Sequence, residues 1–154
     1  NRFHVTSEKQ ARKAARTLHL KPEFFPVRTE AELEPAFKAI AAWRPDALVM
    51  LADRVFLHNR TRIVEFTERS HLPAVYPYVE LVEAGGLLSF GPSYPGMHRR
   101  AAYYVDRILK GTRPADLPME QPEKFQLIVN LKAARSLGLT IPEPVLLRAD
   151  RVLE

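Results

Sequence analysis

The sequence predicts an α/β fold, a doubly wound parallel sheet with helices packed on its faces. Three observations carry that expectation. Two short, continuous apolar runs, Ala47 to Ala52 (ALVMLA) and Pro73 to Tyr76 (PAVY), are bounded by Pro and Asp, which is how strands covered on both faces read. Between such runs the apolar residues recur at helical spacing, so strand and helix alternate, and single-helix connections between strands imply right-handed parallel crossovers. The chain has 154 residues, 46% of them hydrophobic, enough for the core of one α/β domain.

Taken in order, Thr6 and Ser7 offer N-caps for a helix to about His19, with Ala11, Ala14, Ala15 and Leu18 on one face. Residues 20–28 read as extended. Thr29 and Glu32 have capping-box spacing ahead of Leu33, Phe37, Ile40 and Ala41, and that helix should end before Pro45. The strand over 47–52 follows, with Asp53 at its end. Val55, Phe56, Ile63, Val64 and Phe66 support one helix to about Ser70, and the strand over 73–76 comes next. Gly85-Gly86 breaks the chain before a strand over 87–90, which Gly91-Pro92 stops. A helix with Met97, Ala101, Tyr104, Val105, Ile108 and Leu109 on its apolar side ends at Lys110-Gly111. The Pro-rich stretch 114–122 is an extended connection, 125–129 a strand, Asn130 to Leu137 a capped helix ending at Gly138, and 145–149 a short terminal helix.

Composition narrows the function classes. The net charge of +5 comes from 23 Lys+Arg against 18 Asp+Glu, but the signs are interspersed. The densest basic stretch, Arg54 to Arg62, places its three Arg among apolar residues, so it reads as a solvated helix face, and no nucleic-acid partner is expected. No cysteine is present, which removes disulfides and thiolate metal sites. No run reaches the roughly 20 apolar residues of a membrane helix, and the first ten residues lack the apolar stretch of a signal peptide. Nucleophile-elbow, metalloprotease and phosphate-loop motifs are missing, and His58, His71 and His98 lack metal-ligand spacing. The expectation is therefore no enzyme, no cofactor and no metal.

Ligands of open α/β sheets bind beyond the carboxyl ends of the strands, and three strand ends carry suitable side chains. Asp53 can accept hydrogen bonds from a ligand or cap the next helix, and the two roles are compatible. Tyr76, Tyr78 and Glu80 bring aromatic faces and a carboxylate to the next strand end, suited to stacking or to a cation. Ser89 and Phe90, with Gly91, Ser93 and Tyr94 beyond them, form the third, where Gly91 would allow close backbone approach to a ligand. Ordinary packing and turn roles explain each of these residues singly. The candidate ligand-binding set is Asp53, Tyr76, Glu80, Ser89, Phe90 and Tyr94.

Several segments together resemble a known family. The stretch Leu81 to Pro142 contains Gly-Gly-Leu-x-Ser-aromatic-Gly, Ile-Leu-Lys-Gly followed by Pro-Ala-Asp-Leu-Pro, and Asn-Leu-Lys-Ala-Ala-x-x-Leu-Gly-Leu-x-Ile-Pro. It is similar to the C-terminal half of bacterial ABC-transporter substrate-binding proteins related to tryptophan-binding members. Residues 46–77 and the ending LLRADRVLE fit as well. The resemblance implies a periplasmic-binding-protein type I fold, in which two lobes close on a small-molecule solute and deliver it to the membrane permease of an ABC transporter. It implies a periplasmic or extracellular, membrane-anchored location, with the signal segment outside this chain. It also implies that residues 1–78 and 118–154 form the second lobe and 82–111 a returning segment of the first. The opening part of the first lobe and the first strand of the second would then lie outside the sequence. In that case Met97, Tyr104, Val105, Ile108 and Leu109 would lack their sheet and drive self-association of the chain. A ligand-sensing domain of a signalling or transcription-regulatory protein shares this fold and is the alternative.

Overall fold

The structure, a computed structural model, describes residues 2–122 and 124–154, with the backbone alone for residues 2–5. The element order is α1 (Arg2–Thr17), α2 (Leu33–Trp43), β1 (Leu48–Val49), α3 (Arg54–His58), α4 (Arg60–Arg69), β2 (Ala74–Tyr76), α5 (Val79–Glu83), β3 (Leu88–Pro92), α6 (Tyr94–Leu109), β4 (Phe125–Asn130), α7 (Leu131–Ser136), α8 (Glu143–Leu146) and β5 (Arg151–Leu153). The strands form one sheet in the order β1-β2-β3-β4-β5. Its β1, β2 and β3 are parallel, as are β4 and β5. This is the expected α/β architecture with one departure: β4 runs antiparallel to β3. After β3 the chain passes through α6 and returns at the same end of the sheet, so Phe125 enters opposite Pro92 and the two strands pair as a long hairpin.

Register and pleat set one face of the sheet. Leu48, Ala74, Tyr76, Ser89 and Ile128 share it, and it packs on Leu33 of α2, Ile63 and Val64 of α4, and Leu81 and Val82 of α5 to form the main core. A second cluster, Ile40, Phe66 and Leu72, joins α2 to α4, with Phe37 stacked on Phe66 at 4.3 Å. The opposite face carries Val49, 70% exposed, and Phe90, 54% exposed, while Val129 is buried. β1 is shorter than the apolar run implies. It pairs with β2 alone, and a strand with one open edge keeps fewer ladder bonds.

The helices differ from expectation mainly at their ends. α1 starts at Arg2, so Thr6 and Ser7 lie inside it, and of its expected apolar face only Ala15 is buried. At the capping box, Thr29 makes no side-chain cap, whereas Glu32 accepts the amide of Arg28 at 2.7 Å. The single helix expected over 55–70 is two, α3 and α4. Asn59 leaves helical geometry at φ −99, ψ 22 and compensates through its Nδ2, which donates to the carbonyl of Val55 at 3.0 Å. Arg62 then ties α4 to the start of α2, bonding Glu30 at 2.9 Å and Glu34 at 3.1 Å. The terminal helix falls earlier than expected, and β5 follows it.

No residue of α6 is buried. Its ties run to its own return connection: Arg100 Nε bonds Glu120 at 2.7 Å, the guanidinium lies over the rings of Tyr103 and Tyr104, and the Tyr104 hydroxyl donates to the carbonyl of Pro118 at 2.7 Å.

Two backbone positions give opposite stability predictions. Arg44 caps α2 at φ 55, a left-handed conformation that costs an L-residue about 1–2 kcal/mol relative to glycine. Arg44→Gly should raise stability by about 0.5–1 kcal/mol, glycine's freedom in the unfolded chain offsetting the rest. A Cβ at Gly86 would overlap the Tyr76 ring and lie 2.7 Å from the Leu81 carbonyl oxygen, so Gly86→Ala should cost about 1–3 kcal/mol as overpacking. Urea midpoints read both changes. An unchanged midpoint in Gly86→Ala would show that Tyr76 yields freely.

Candidate functional site

The carboxyl ends of β1, β2 and β3 lie side by side because the three strands are parallel and adjacent. Beyond β1, Asp53 is extended, and its Oδ1 accepts the amide of Val55 at 2.8 Å, capping α3. Its capping role is thus realised, and the carboxylate is held at the sheet edge by that bond.

Beyond β2, Pro77 ends the strand and Tyr78 packs against the main core, 7% exposed, followed by Glu80 in the first turn of α5. Beyond β3, Ser93 caps α6, and Tyr94 opens the helix. The rings of Tyr78 and Tyr94 meet at 5.7 Å between centroids, tilted by 41°. Burial first, then the neighbouring Tyr94 and the negative charges of Asp53 and Glu80, push the Tyr78 phenol up to about 12. Asp53, Tyr78, Glu80 and Tyr94 are therefore one electrostatic neighbourhood, and Tyr78 keeps its proton, and its capacity to donate, throughout the neutral range. Gly91 makes this convergence possible. A Cβ there would overlap the carbonyl of Pro77, so the bare backbone of β3 lets the β2 end come close. The close approach expected at Gly91 is thus made by the chain itself.

Tyr76 and Ser89 are placed differently from expectation. Tyr76 is 1% exposed and Ser89 2% exposed, both on the core face of the sheet. The Tyr76 hydroxyl is 2.8 Å from Thr67 Oγ1, which is 2.9 Å from the carbonyl of Val64. A carbonyl can only accept, so Thr67 donates to it and Tyr76 donates to Thr67. Burial raises the Tyr76 pKa. Neither side chain faces the crevice; both hold β2 and β3 in register. Phe90 is exposed on the other face and stacks on Phe125 at 5.5 Å, a pair that the sequence reading did not contain.

Beside the cluster, an open groove of about 610 Å³ runs between the α3–α4 corner and α5, lined by His58, Thr61, Glu80 and Glu83 among others. Glu83 bonds Arg151 at 3.0 Å, whereas Glu80 Oε2 is shut off from solvent and has no hydrogen-bond partner among the described residues. The carboxylates of Asp53 and Glu80, with the half-buried Tyr94 near them, suit a ligand group that is cationic or rich in hydrogen-bond donors. No group of three or more His, Cys, Asp or Glu among the described residues could hold a metal ion.

Among solved structures, a conserved domain protein from Vibrio cholerae O1 biovar eltor superposes with a TM-score of 0.88 at 27% identity, over 97% of this chain and 50% of that one. An ABC domain in complex with L-Trp from Streptococcus pneumonia gives a TM-score of 0.88 at 26% identity, over 97% of this chain and 52% of that one. The ligand-free, open structure of CD0873, a substrate binding protein with adhesive properties from Clostridium difficile, shares the fold with a TM-score of 0.65 at 19% identity, over 97% and 50% of the two chains. The chain spans about half the length of these structures. No curated protein matches it. The family model for ABC transporter substrate binding proteins matches residues 4–153, and over that near-complete span the chain belongs to this family.

Proposed function

We propose that the chain supplies one wall of the solute site of an ABC-importer binding protein, and that the solute is a small molecule with an amino group, an amino acid or an aromatic amine. The observation that carries this reading is the convergence of Asp53, Tyr78, Glu80 and Tyr94 beyond three adjacent parallel strands, where open α/β sheets hold ligands. Acceptors and aromatic faces together suit an ammonium group. Phe90, exposed and stacked on Phe125, offers a further ring surface. The related ABC domain solved with L-Trp supports the same ligand class.

In this reading the solute leaves unchanged, delivered to a membrane permease. The protein works outside the cytoplasmic membrane, in the periplasm or anchored at the outer surface. Among the described residues no helix is long and apolar enough to cross a membrane. Of the segment 82–111 expected in the other lobe, Val82 and β3 lie in this sheet and its core, so the division we propose is that residues 1–92 and 118–154 form one lobe and α6 belongs to the other. The exposure of α6 supports that division, since a helix with Met97, Val105, Ile108 and Leu109 open to solvent and Tyr104 half-buried has its packing partner elsewhere.

Two measurements test these proposals. Thermal shift and isothermal titration against amino acids and aromatic amines should give saturable binding, with the compound recovered unaltered by mass spectrometry; chemical turnover of any bound compound would overturn the reading. Sedimentation of the 154-residue chain should give a dimer or larger species, because covering each large apolar side chain is worth roughly 1.5–3 kcal/mol. A clean monomer would count against the lobe division.

A further inference from the structure

The two carboxylates of the cluster differ in what they already do. Asp53 Oδ1 is committed to the amide of Val55 at 2.8 Å, so this side chain starts α3. Glu83, one turn beyond Glu80, is committed to Arg151 at 3.0 Å. Glu80 stands between them with its Oε2 excluded from solvent and without a hydrogen bond among the described residues. The cation nearest at hand on the groove wall, Arg60, turns its Nη1 to the carbonyl of Leu57 at 3.4 Å instead. An acceptor held out of water without a donor is an unfavourable arrangement in the empty protein, and it is relieved when a donor arrives.

We propose that Glu80 is the residue that accepts the solute's ammonium group, and that it selects solutes bearing one over analogues that lack it. This deepens the binding reading given above and rests on it. Glu80 is partly exposed and lines the open groove, so a rotation about its aliphatic torsions, rather than a turn of the carboxylate alone, carries the unpaired oxygen out to a donor there. Thr61 and His58 line the same groove and complete its polar wall. An ammonium is compact and carries three donors, enough to engage the Glu80 carboxylate and the groove's other polar groups together. Asp53 then acts on binding through the start of α3, and Glu80 through contact.

The test is isothermal titration of the wild-type protein, Glu80→Gln and Asp53→Asn with three probes that share an indole ring: tryptamine, L-tryptophan and indole-3-propionate, which lacks the amine. Wild type should bind the two amines at least about tenfold more tightly than the deaminated acid. Glu80→Gln should lose at least about tenfold for the amines, with little change for indole-3-propionate and an unchanged thermal midpoint. Asp53→Asn should lower the thermal midpoint and lose less amine affinity than Glu80→Gln. Glu80→Asp, which keeps the charge one methylene further back, should recover part of the loss. Full amine affinity in Glu80→Gln, or an equal loss for all three probes, would overturn the assignment of Glu80 alone. A wild type that takes indole-3-propionate as well as the amines would overturn the selectivity. A wild type that binds none of the three would overturn the binding reading and this assignment with it.

Discussion

A phenol in a dry interior must place its proton on an acceptor, and Tyr76 places its proton on Thr67. That bond, continued from Thr67 to the Val64 carbonyl, couples the last residue of β2 to the middle of α4. The ring fills the space that the Gly86 turn leaves open, so it also fixes where β3 starts. With Tyr76 locked on the core side, Pro77 ends the strand, Tyr78 stays packed in the core, and the first turn of α5 places Glu80 at the sheet edge. The position of the candidate site follows from a residue that takes no part in it.

At that edge, folding and recognition are divided between neighbouring side chains. Asp53 and Ser93 cap helices, Gly91 admits the Pro77 carbonyl, and Tyr78 and Tyr94 lean on one another. Their commitments make a stiff rim. Glu80 is the member of the group whose oxygen is still uncommitted within the described residues. A pre-formed rim with one unsatisfied acceptor loses little conformational entropy on binding, which concentrates affinity in the contact itself.

Much of this was legible in the sequence. Continuous apolar runs marked β1 and β2, and Asn130 and Asp53 announced their caps by residue type and place. What could not be read was which way a side chain turns at a strand end. Tyr76 and Tyr78 look equivalent in sequence, two residues apart around Pro77. Alternation gives Tyr76 the core side only once Ala74 is known to face the core, and Tyr78, beyond the strand end, is buried in the same core. Ser89 was misplaced for the same reason. The antiparallel turn of β4 depends on where a long connection returns, a tertiary fact with no local signature. The split between α3 and α4 depends on Asn59 finding the Val55 carbonyl, a local bond that competes with continuing the helix.

The hairpin of β3 and β4 bears on how the molecule is made. Strands β1 to β3 are joined by short crossovers, so their contacts close early and at modest entropic cost. The β3–β4 ladder begins only when Phe125 finds Pro92 across the whole of α6 and its connection, and β5 can add only after β4. High contact order is thus concentrated in the final third of the chain. Until that ladder closes, β3 is an open edge, flanked by the exposed helix that precedes its partner. On a ribosome the first three strands can be complete while β4 is still being synthesised, and the half-built sheet must remain unpaired until β4 emerges.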